Sequence, residues 1–180
     1  YPYDEPMERA ALRGSYAFLP THYDDLCVLD ISDLTAPRLV AWAETRGHGR
    51  DVCLSGNLAI VATDFGGVQI VQVDNPLLPR RAGRLDTGGQ FLGLAVGEQR
   101  GYVGDMGSRV HVVDLANPAE PQRLGTASTA NQWSVALTLD GDYVYAATFS
   151  RGFGVIDVSN PALPRHVAGV HLGDLSYGVA

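Results

Sequence analysis

The chain repeats one short hydrophobic phrase four times, and the interval between the copies is almost constant. The copies end at Pro37, Pro79, Pro121 and Pro164, so the successive intervals are 42, 42 and 43 residues. They read CVLDISDLTAP, IVQVDNPLLP, VVDLANPAEP and GVIDVSNPALP. A fixed period of this size is typical of repeat architectures, in which each copy is one supersecondary unit and stacked neighbours share a core.

Each repeat contains three clear strand patterns and a weaker fourth, which the second repeat illustrates. Residues 51–54, 58–62 and 68–73 are short runs rich in branched apolar side chains, and residues 80–85 follow the phrase as an outer strand. The turn between the first two runs is Ser-Gly-Asn, which supplies the residue types that hairpins need. Four short antiparallel strands in roughly 40–45 residues are typical of one propeller blade.

Helical repeats of similar length do not fit the composition of the chain. Proline recurs in every copy of the phrase, glycine occurs 21 times, and no stretch of ten residues holds a clean helical period. Proline is excluded from central strands but tolerated in connections and at sheet edges, which is where the phrase places it. We therefore predict an all-β fold, a β-propeller with four four-stranded blades and the start of a fifth.

The predicted organisation is an N-terminal tail or linker over residues 1–7, followed by propeller blades over residues 8–180. The predicted blades span residues 8–48, 49–90, 91–131 and 132–174, and residues 175–180 begin another inner strand. A piece of a larger propeller is the favoured interpretation, because propellers usually have about 4–8 blades. A four-bladed ring completed by residues 177–180 and a dimer of two half-rings remain as alternatives.

The balance of charge restricts the partners. Twenty acidic residues face thirteen basic ones, all of them arginine, which gives a net charge of −7. Nucleic acid and anionic membranes both demand a basic face, so neither is a predicted partner. No apolar run approaches the ~18 residues that span a bilayer, so no membrane insertion is predicted. Cys27 and Cys53 are interpreted as two small buried side chains, with a disulfide between them as the alternative.

The proline phrase, together with the glycine-rich turn and the short apolar run that precede it, resembles the LVIVD repeat of bacterial and archaeal surface or secreted propellers. The resemblance covers about residues 12–180, and the cleanest copy is GFGVIDVSNP at residues 152–161. Gln72 stands where the other copies have aspartate, and Leu34 replaces the first proline. The resemblance implies a propeller that is often exported and usually has no assigned activity. It brings no catalytic residues to this chain.

Propeller topology narrows the search for a site. In a four-stranded meander, the loops that lead into the inner strand and the loops between the second and third strands emerge on one face, which we call the loop face. The side chains at corresponding places on this face differ between repeats, whereas the opposite face receives near-identical turns and proline phrases. The differing side chains are Arg50, Phe91, Trp133 and Tyr177.

Polar residues on the loop face form the first group of candidate ligand-binding residues. His48, Arg50 and Asp51, next to Asp64, are predicted to form a cluster that binds an anion or a metal. The plainer alternative is an ion pair between Arg50 and Asp51 within the loop. Asp64 and Asp105 open turns that resemble fragments of calcium loops, but the further acidic ligands are missing, which favours ordinary turn chemistry.

Aromatic residues form the second candidate group. Phe91, Trp133 and Tyr177 are predicted to make a rim for a sugar, a peptide or a planar ligand. The alternative is that the three rings close the mouth of the central channel and pack between blades.

Motifs for known chemistry are lacking. His22, His111 and His166 stand singly without zinc-ligand spacing, and no nucleophile elbow, P-loop or dinucleotide fingerprint occurs. Asp30, Asp114 and Asp157 recur in the phrase and are predicted to bond to the backbone of the turn that follows. No cofactor is predicted, and a divalent metal at the channel mouth has no support from ligand spacing.

These observations favour a non-enzymatic binding scaffold of an exported or cell-surface propeller, extracellular or periplasmic, with a protein or glycan partner. Further blades or a second copy are expected to close the ring. The second hypothesis is a metal-dependent hydrolase or lactonase-like enzyme with its site at the channel mouth, carried by His48, Asp51, Asp64, Asp105 and Asn131. A third is a purely structural spacer in a multidomain surface protein.

Overall fold

The computed structural model describes residues 9–23, 25–86, 88–129, 133–148 and 152–171, and these form four antiparallel sheets. The first sheet contains β1 (Ala11–Arg13), β2 (Tyr16–Pro20), β3 (Asp25–Asp30) and β4 (Arg38–Glu44). The second contains β5 (Gly49–Ser55), β6 (Leu58–Thr63), β7 (Gly67–Gln72) and β8 (Arg80–Leu85). The third contains β9 (Phe91–Val96), β10 (Arg100–Asp105), β11 (Arg109–Asp114) and β12 (Gln122–Ser128). The fourth contains β13 (Ser134–Asp140), β14 (Tyr143–Thr148), β15 (Gly152–Asp157) and β16 (Arg165–His171).

Every sheet is a meander in which each strand pairs with the next one along the chain. Tight turns join the first two strands, and Gly14, Gly56 and Gly141 adopt φ values of 57°, 53° and 54° there, a backbone conformation that favours glycine. The predicted all-β fold with four-stranded antiparallel sheets is confirmed. The four sheets are consistent with the blades of a propeller.

The core lies between neighbouring sheets rather than inside any one of them. Three clusters of buried apolar side chains fill the first, second and third interfaces, centred on Phe18, Ile60 and Val144 respectively. The first strands of successive sheets approach closely, since a Cβ at Gly93 of β9 would lie only 3.0 Å from the Cα of Ala136 on β13. The stack therefore depends on small residues at this contact.

The proline phrases form one repeated turn on the face opposite the loop face. A backbone N–H two residues further on donates to an Asx side chain in each copy, at 2.9 to 3.2 Å. The acceptors are Asp33, Asn75, Asn117 and Asn160. Asp30, Asp114 and Asp157 likewise accept hydrogen bonds from the backbone two residues on, so their predicted role is confirmed.

Apolar side chains at both ends of the stack are less buried than their equivalents inside it. Ile60, Val68 and Ile70 of the second sheet are fully buried against the third. The strand registers place Tyr145, Phe153 and Val155 at the same positions on the outward face of the fourth sheet, where they are half-buried. On the first sheet, the half-buried outward residues are Leu19, Leu29 and Ile31.

Candidate functional site

The two kinds of loop expected on the loop face lie side by side in the structure. The backbone N–H of Asp64, in the turn between β6 and β7, donates to the carbonyl oxygen of His48 at 2.8 Å. In the next repeat, the N–H of Met106 donates to the carbonyl oxygen of Gln90 at 3.0 Å. The turn and the loop leading into the inner strand thus meet through the same backbone hydrogen bond in both repeats.

Arg50 and Asp64 form a part-buried ion pair at this junction. The Nε and Nη2 atoms of Arg50 lie 2.8 and 2.5 Å from Oδ2 of Asp64, whose other oxygen has no hydrogen-bond partner in the described part of the chain. The pairing register shifts between Gly49 and Asp51, so Arg50 is the extra residue of a β-bulge. His48 is exposed, and its ring centroid lies 5.6 Å from that of His22.

Asp51 joins the second sheet to the third. Its carboxylate is 2% exposed and accepts two backbone hydrogen bonds at 2.8 Å, from the N–H of Val52 to Oδ1 and from the N–H of Leu94 on β9 to Oδ2. Burial raises the pKa of Asp51 to about 6, although the hydrogen bonds from Leu94 and Val52 act in the opposite direction. Asp51 is therefore an interface residue whose charge opposes folding.

Stability should depend on the titration of Asp51. Because its pKa is higher in the folded chain than in the unfolded chain, the folded state binds more protons between pH about 4 and 6, and the free energy of unfolding falls as pH rises. We expect Asp51 to cost about 1 kcal/mol of stability between pH 5 and pH 8. Urea denaturation of the wild type and of Asp51→Asn across this range measures the contribution, since only the wild type carries this titration. Parallel pH profiles for the two proteins would contradict the assignment.

Asp105 belongs to a different network in the third sheet, in which Asp105 and His111 are buried and Arg109 is part-exposed. Its Oδ1 accepts the backbone N–H of Arg109 at 2.8 Å, and its Oδ2 lies 2.9 Å from Nε of Arg109 and 3.0 Å from Nε2 of His111. Burial opposes ionisation, but the hydrogen bonds from His111 and Arg109 outweigh it and hold the pKa of Asp105 below its usual range. Nδ1 of His111 lies 3.1 Å from Oγ1 of Thr126. The sequence interpretation, which took these residues singly, missed this network.

The aromatic candidates occupy different environments. Phe91 is fully buried, and its ring packs edge-on against His111 with centroids 5.5 Å apart, so it forms part of the core. Trp133 is 39% exposed and precedes β13 directly. Asn131 and Tyr177 lie outside the described residues. The geometry thus pairs the side chains of Arg50 and Asp64, and His48 meets them only through its backbone oxygen. The predictions that Asp51 joins this cluster or pairs with Arg50 are wrong, because its carboxylate is buried against β9. Asp105 and Phe91 lie with His111 instead.

The described residues offer few ligands for a metal ion. Over the described ranges, no group of three or more His, Cys, Asp and Glu side chains is arranged to hold a metal ion. Asp51 and Asp105 already direct their oxygens to N–H donors.

Cys27 and Cys53 are free thiols, and burial raises the pKa of Cys53 to about 12. Within the part of the chain that the structure describes, no helix has the length and apolar character needed to cross a membrane.

A stack of four-stranded antiparallel meanders with cores between the sheets defines a β-propeller-like repeat protein. The chain belongs to the LVIVD repeat family. The family model matches four successive segments, residues 8–45, 46–87, 88–129 and 133–170. Comparison with curated proteins finds no match.

Several solved structures share the fold at low sequence identity. A functionally unknown protein from Desulfotomaculum acetoxidans DSM 771 has a TM-score of 0.75 and 15% identity, and the match covers 92% of this chain and 56% of that one. The computationally designed Ika4 protein has a TM-score of 0.67 and 14% identity, covering 81% of this chain and 87% of that one. BamB from Moraxella catarrhalis has a TM-score of 0.62 and 19% identity, covering 89% of this chain and 50% of that one. The chain thus spans about half the length of two of these proteins.

Proposed function

We propose that the chain is a non-enzymatic binding scaffold of an exported or cell-surface propeller, and that the loop face binds a protein or glycan partner. One observation carries the proposal. A register shift recurs at the same place in three inner strands, and the extra residue differs each time: Arg50 in β5, Leu92 in β9 and Val135 in β13. The residues equivalent to Arg50 are therefore Leu92 and Val135, and the prediction that they are Phe91 and Trp133 is wrong. A bulge re-aims a side chain at one point of the sheet. The scaffold is constant, and the side chains it presents on this face vary.

The opposite face supports the same proposal by contrast. There, every copy of the proline phrase forms the same Asx turn with the same hydrogen bond. Identical turns in every repeat are expected where the repeats pack in the same way. Different side chains in each repeat are expected where a ligand is recognised, because recognition needs a particular combination of charge and apolar surface. On the varied face, Arg50 supplies a cation, His48 an imidazole ring, and the exposed part of Trp133 an aromatic surface.

The complete ring is proposed to contain more blades than these four sheets. Support comes from the half-buried apolar end faces, which include Leu19 and Leu29 at one end and Tyr145 and Phe153 at the other. In the sheets that are covered by a neighbour, the residues at the equivalent positions are fully or almost fully buried. A further blade, or the same surface of a second copy, would cover both end faces.

Trp133 provides the test of the loop face, because the chain has only two tryptophans. Trp42 lies on the outermost strand of the first sheet and is 64% exposed, so it is the matched control. In a screen of glycans and peptides, a binding partner should change the emission of Trp42→Phe, which keeps Trp133, and leave that of Trp133→Phe unchanged. Arg50→Ala should weaken binding by about tenfold or more, the loss of a charge-assisted contact.

Two outcomes would place the binding surface elsewhere. One is a partner, detected by calorimetry, that alters only the emission of Trp42. The other is a partner whose affinity is the same for the wild type and for Arg50→Ala.

A further inference from the structure

The third sheet departs from its neighbours at three equivalent positions. Where it carries Asp105 at the end of the second strand, the second and fourth sheets carry threonines, whose hydroxyls donate to a glycine carbonyl oxygen at 2.8 and 3.1 Å. In the second and fourth sheets, the residues at the positions of His111 and Thr126 also have different types of side chain. The equivalent sets are Thr63, Gln69 and Arg84 in the second sheet, and Thr148, Gly154 and Gly169 in the fourth. A carboxylate, an imidazole and a hydroxyl thus coincide in one sheet.

The hydrogen bonds of this set define the direction of its protons. Asp105 is ionised and can only accept, so Nε2 of His111, 3.0 Å away, must carry the proton of that bond. In the neutral imidazole, Nδ1 is then the acceptor, and the hydroxyl of Thr126 at 3.1 Å donates to it. Arg109 also pairs with this carboxylate, its Nη2 lying 2.8 Å from Oδ2 of Asp105.

The base and the residue that carries the hydroxyl differ in solvent exposure. Asp105 and His111 are 0% and 1% exposed, whereas Thr126 is exposed on β12, the outermost strand of the third sheet. Phe91 packs edge-on against the imidazole, with ring centroids 5.5 Å apart. Thr126 is therefore the residue of the set that a reagent in solution can approach, and its hydrogen bond to the buried base is part-buried. A nucleophile bonded to a base that a third group orients is the arrangement of activated hydroxyls in covalent catalysis.

We propose that Thr126 is a nucleophile that accepts the acyl group of an activated ester, with His111 as its general base and Asp105 as a positioning residue. The Thr126 oxygen attacks the ester carbonyl carbon while its proton passes to Nδ1 of His111. The bond between that carbon and the alcohol oxygen then breaks, and the leaving oxygen takes the proton from the imidazole. The products are acyl-threonine and the free alcohol, with no oxidant or metal required. This activity is separate from the proposed binding function of the loop face.

p-Nitrophenyl acetate tests the proposal directly. The chain contains no lysine, so no lysine amine can take up the acetyl group. We expect release of p-nitrophenolate together with the gain of one acetyl group, which peptide mapping should place on Thr126. Thr126→Ser should keep the reaction, and Thr126→Val should abolish it without affecting the fold, because the side chain is exposed.

His111→Gln separates a base from a structural hydrogen bond, since glutamine occupies the equivalent position in the second sheet. We expect acetylation of Thr126 to slow by about 10²-fold or more in this variant, the typical contribution of general base catalysis. Thr35→Val is the control, because the Thr35 hydroxyl bonds to a carboxylate oxygen of Asp33 at 2.7 Å without an imidazole, and its loss should leave the reaction unchanged.

Two results would overturn the proposal. Acetylation confined to the N-terminus, cysteine or tyrosine would show that Thr126 is unreactive. Acetylation of Thr126 at the same rate in the wild type and in His111→Gln would show that no base activates it. If His111→Gln does not fold, the wild type gives the same test: equal acetylation of Thr126 and Thr35 would show that no base activates Thr126.

Discussion

Phe91→Ala is expected to lower the free energy of unfolding by about 3–5 kcal/mol, the usual cost of deleting a buried phenyl ring. Phe91 is fully buried in the cluster between the second and third sheets, beside Leu94 and Val103. Its ring also packs edge-on against His111, so the substitution should leave a cavity beside the hydrogen bond between His111 and Asp105. Urea denaturation followed by circular dichroism measures the change.

Phe65→Ala is the matched control for this substitution. Phe65 belongs to the turn between β6 and β7 on the loop face and is 77% exposed. The same truncation there should change the free energy of unfolding by no more than about 0.5 kcal/mol. A small effect at Phe91, comparable with that at Phe65, would argue that Phe91 belongs to an adaptable rim and not to the core.

Gly47→Ala is expected to destabilise the chain by about 3 kcal/mol, because a backbone strain and a steric collision coincide there. Gly47 adopts a φ of 81°, and a Cβ atom at this position would collide with the carbonyl oxygen of Asp64. Neither group can move independently, since the N–H of Asp64 is bonded to the carbonyl oxygen of His48. The substitution should therefore force apart the two loops that position Arg50. Thermal unfolding and a second measurement in urea would test it.

Gly56→Ala isolates the strain from the collision. Gly56 has a φ of 53° in the turn between β5 and β6, and no atom lies within 4 Å of the position a Cβ would take. Only the cost of a left-handed alanine remains, about 1–2 kcal/mol. Equal losses at Gly47 and Gly56 would mean that the contact between the two loops is unimportant for stability.

The repeat itself made the fold predictable. Four copies of one pattern reveal a strand boundary more clearly than one copy does, because turns and apolar runs recur at the same offsets. The weakest expectation concerned the first inner strand, placed at residues 8–12 on a poor pattern. The structure has only three residues there, β1 (Ala11–Arg13), which pair with β2.

The environment of the site residues was harder to predict than their location. The alternation of side chains along β5 depends on the bulge at Arg50, since one extra residue reverses which side chains face the neighbouring sheet. No single-sequence pattern marks that bulge, so the burial of Asp51 against Leu94 was not foreseen. The contact between Asp105 and His111 was missed for a different reason. These residues are six positions apart and meet only because a hairpin turns between them.

Each sheet is completed by one contiguous stretch of chain, and within the described residues no strand is contributed by a neighbouring repeat. A duplication or loss of one unit of 42 or 43 residues therefore adds or removes a whole sheet and one apolar interface, and it leaves every other hydrogen-bonded ladder intact. Unequal recombination between copies of the gene segment would then change the number of sheets without passing through a protein that has a broken one. Proteins built from such units can therefore vary in length by whole repeats. Residues such as Asp105 and His111, which differ from their equivalents in the other sheets, distinguish a single copy.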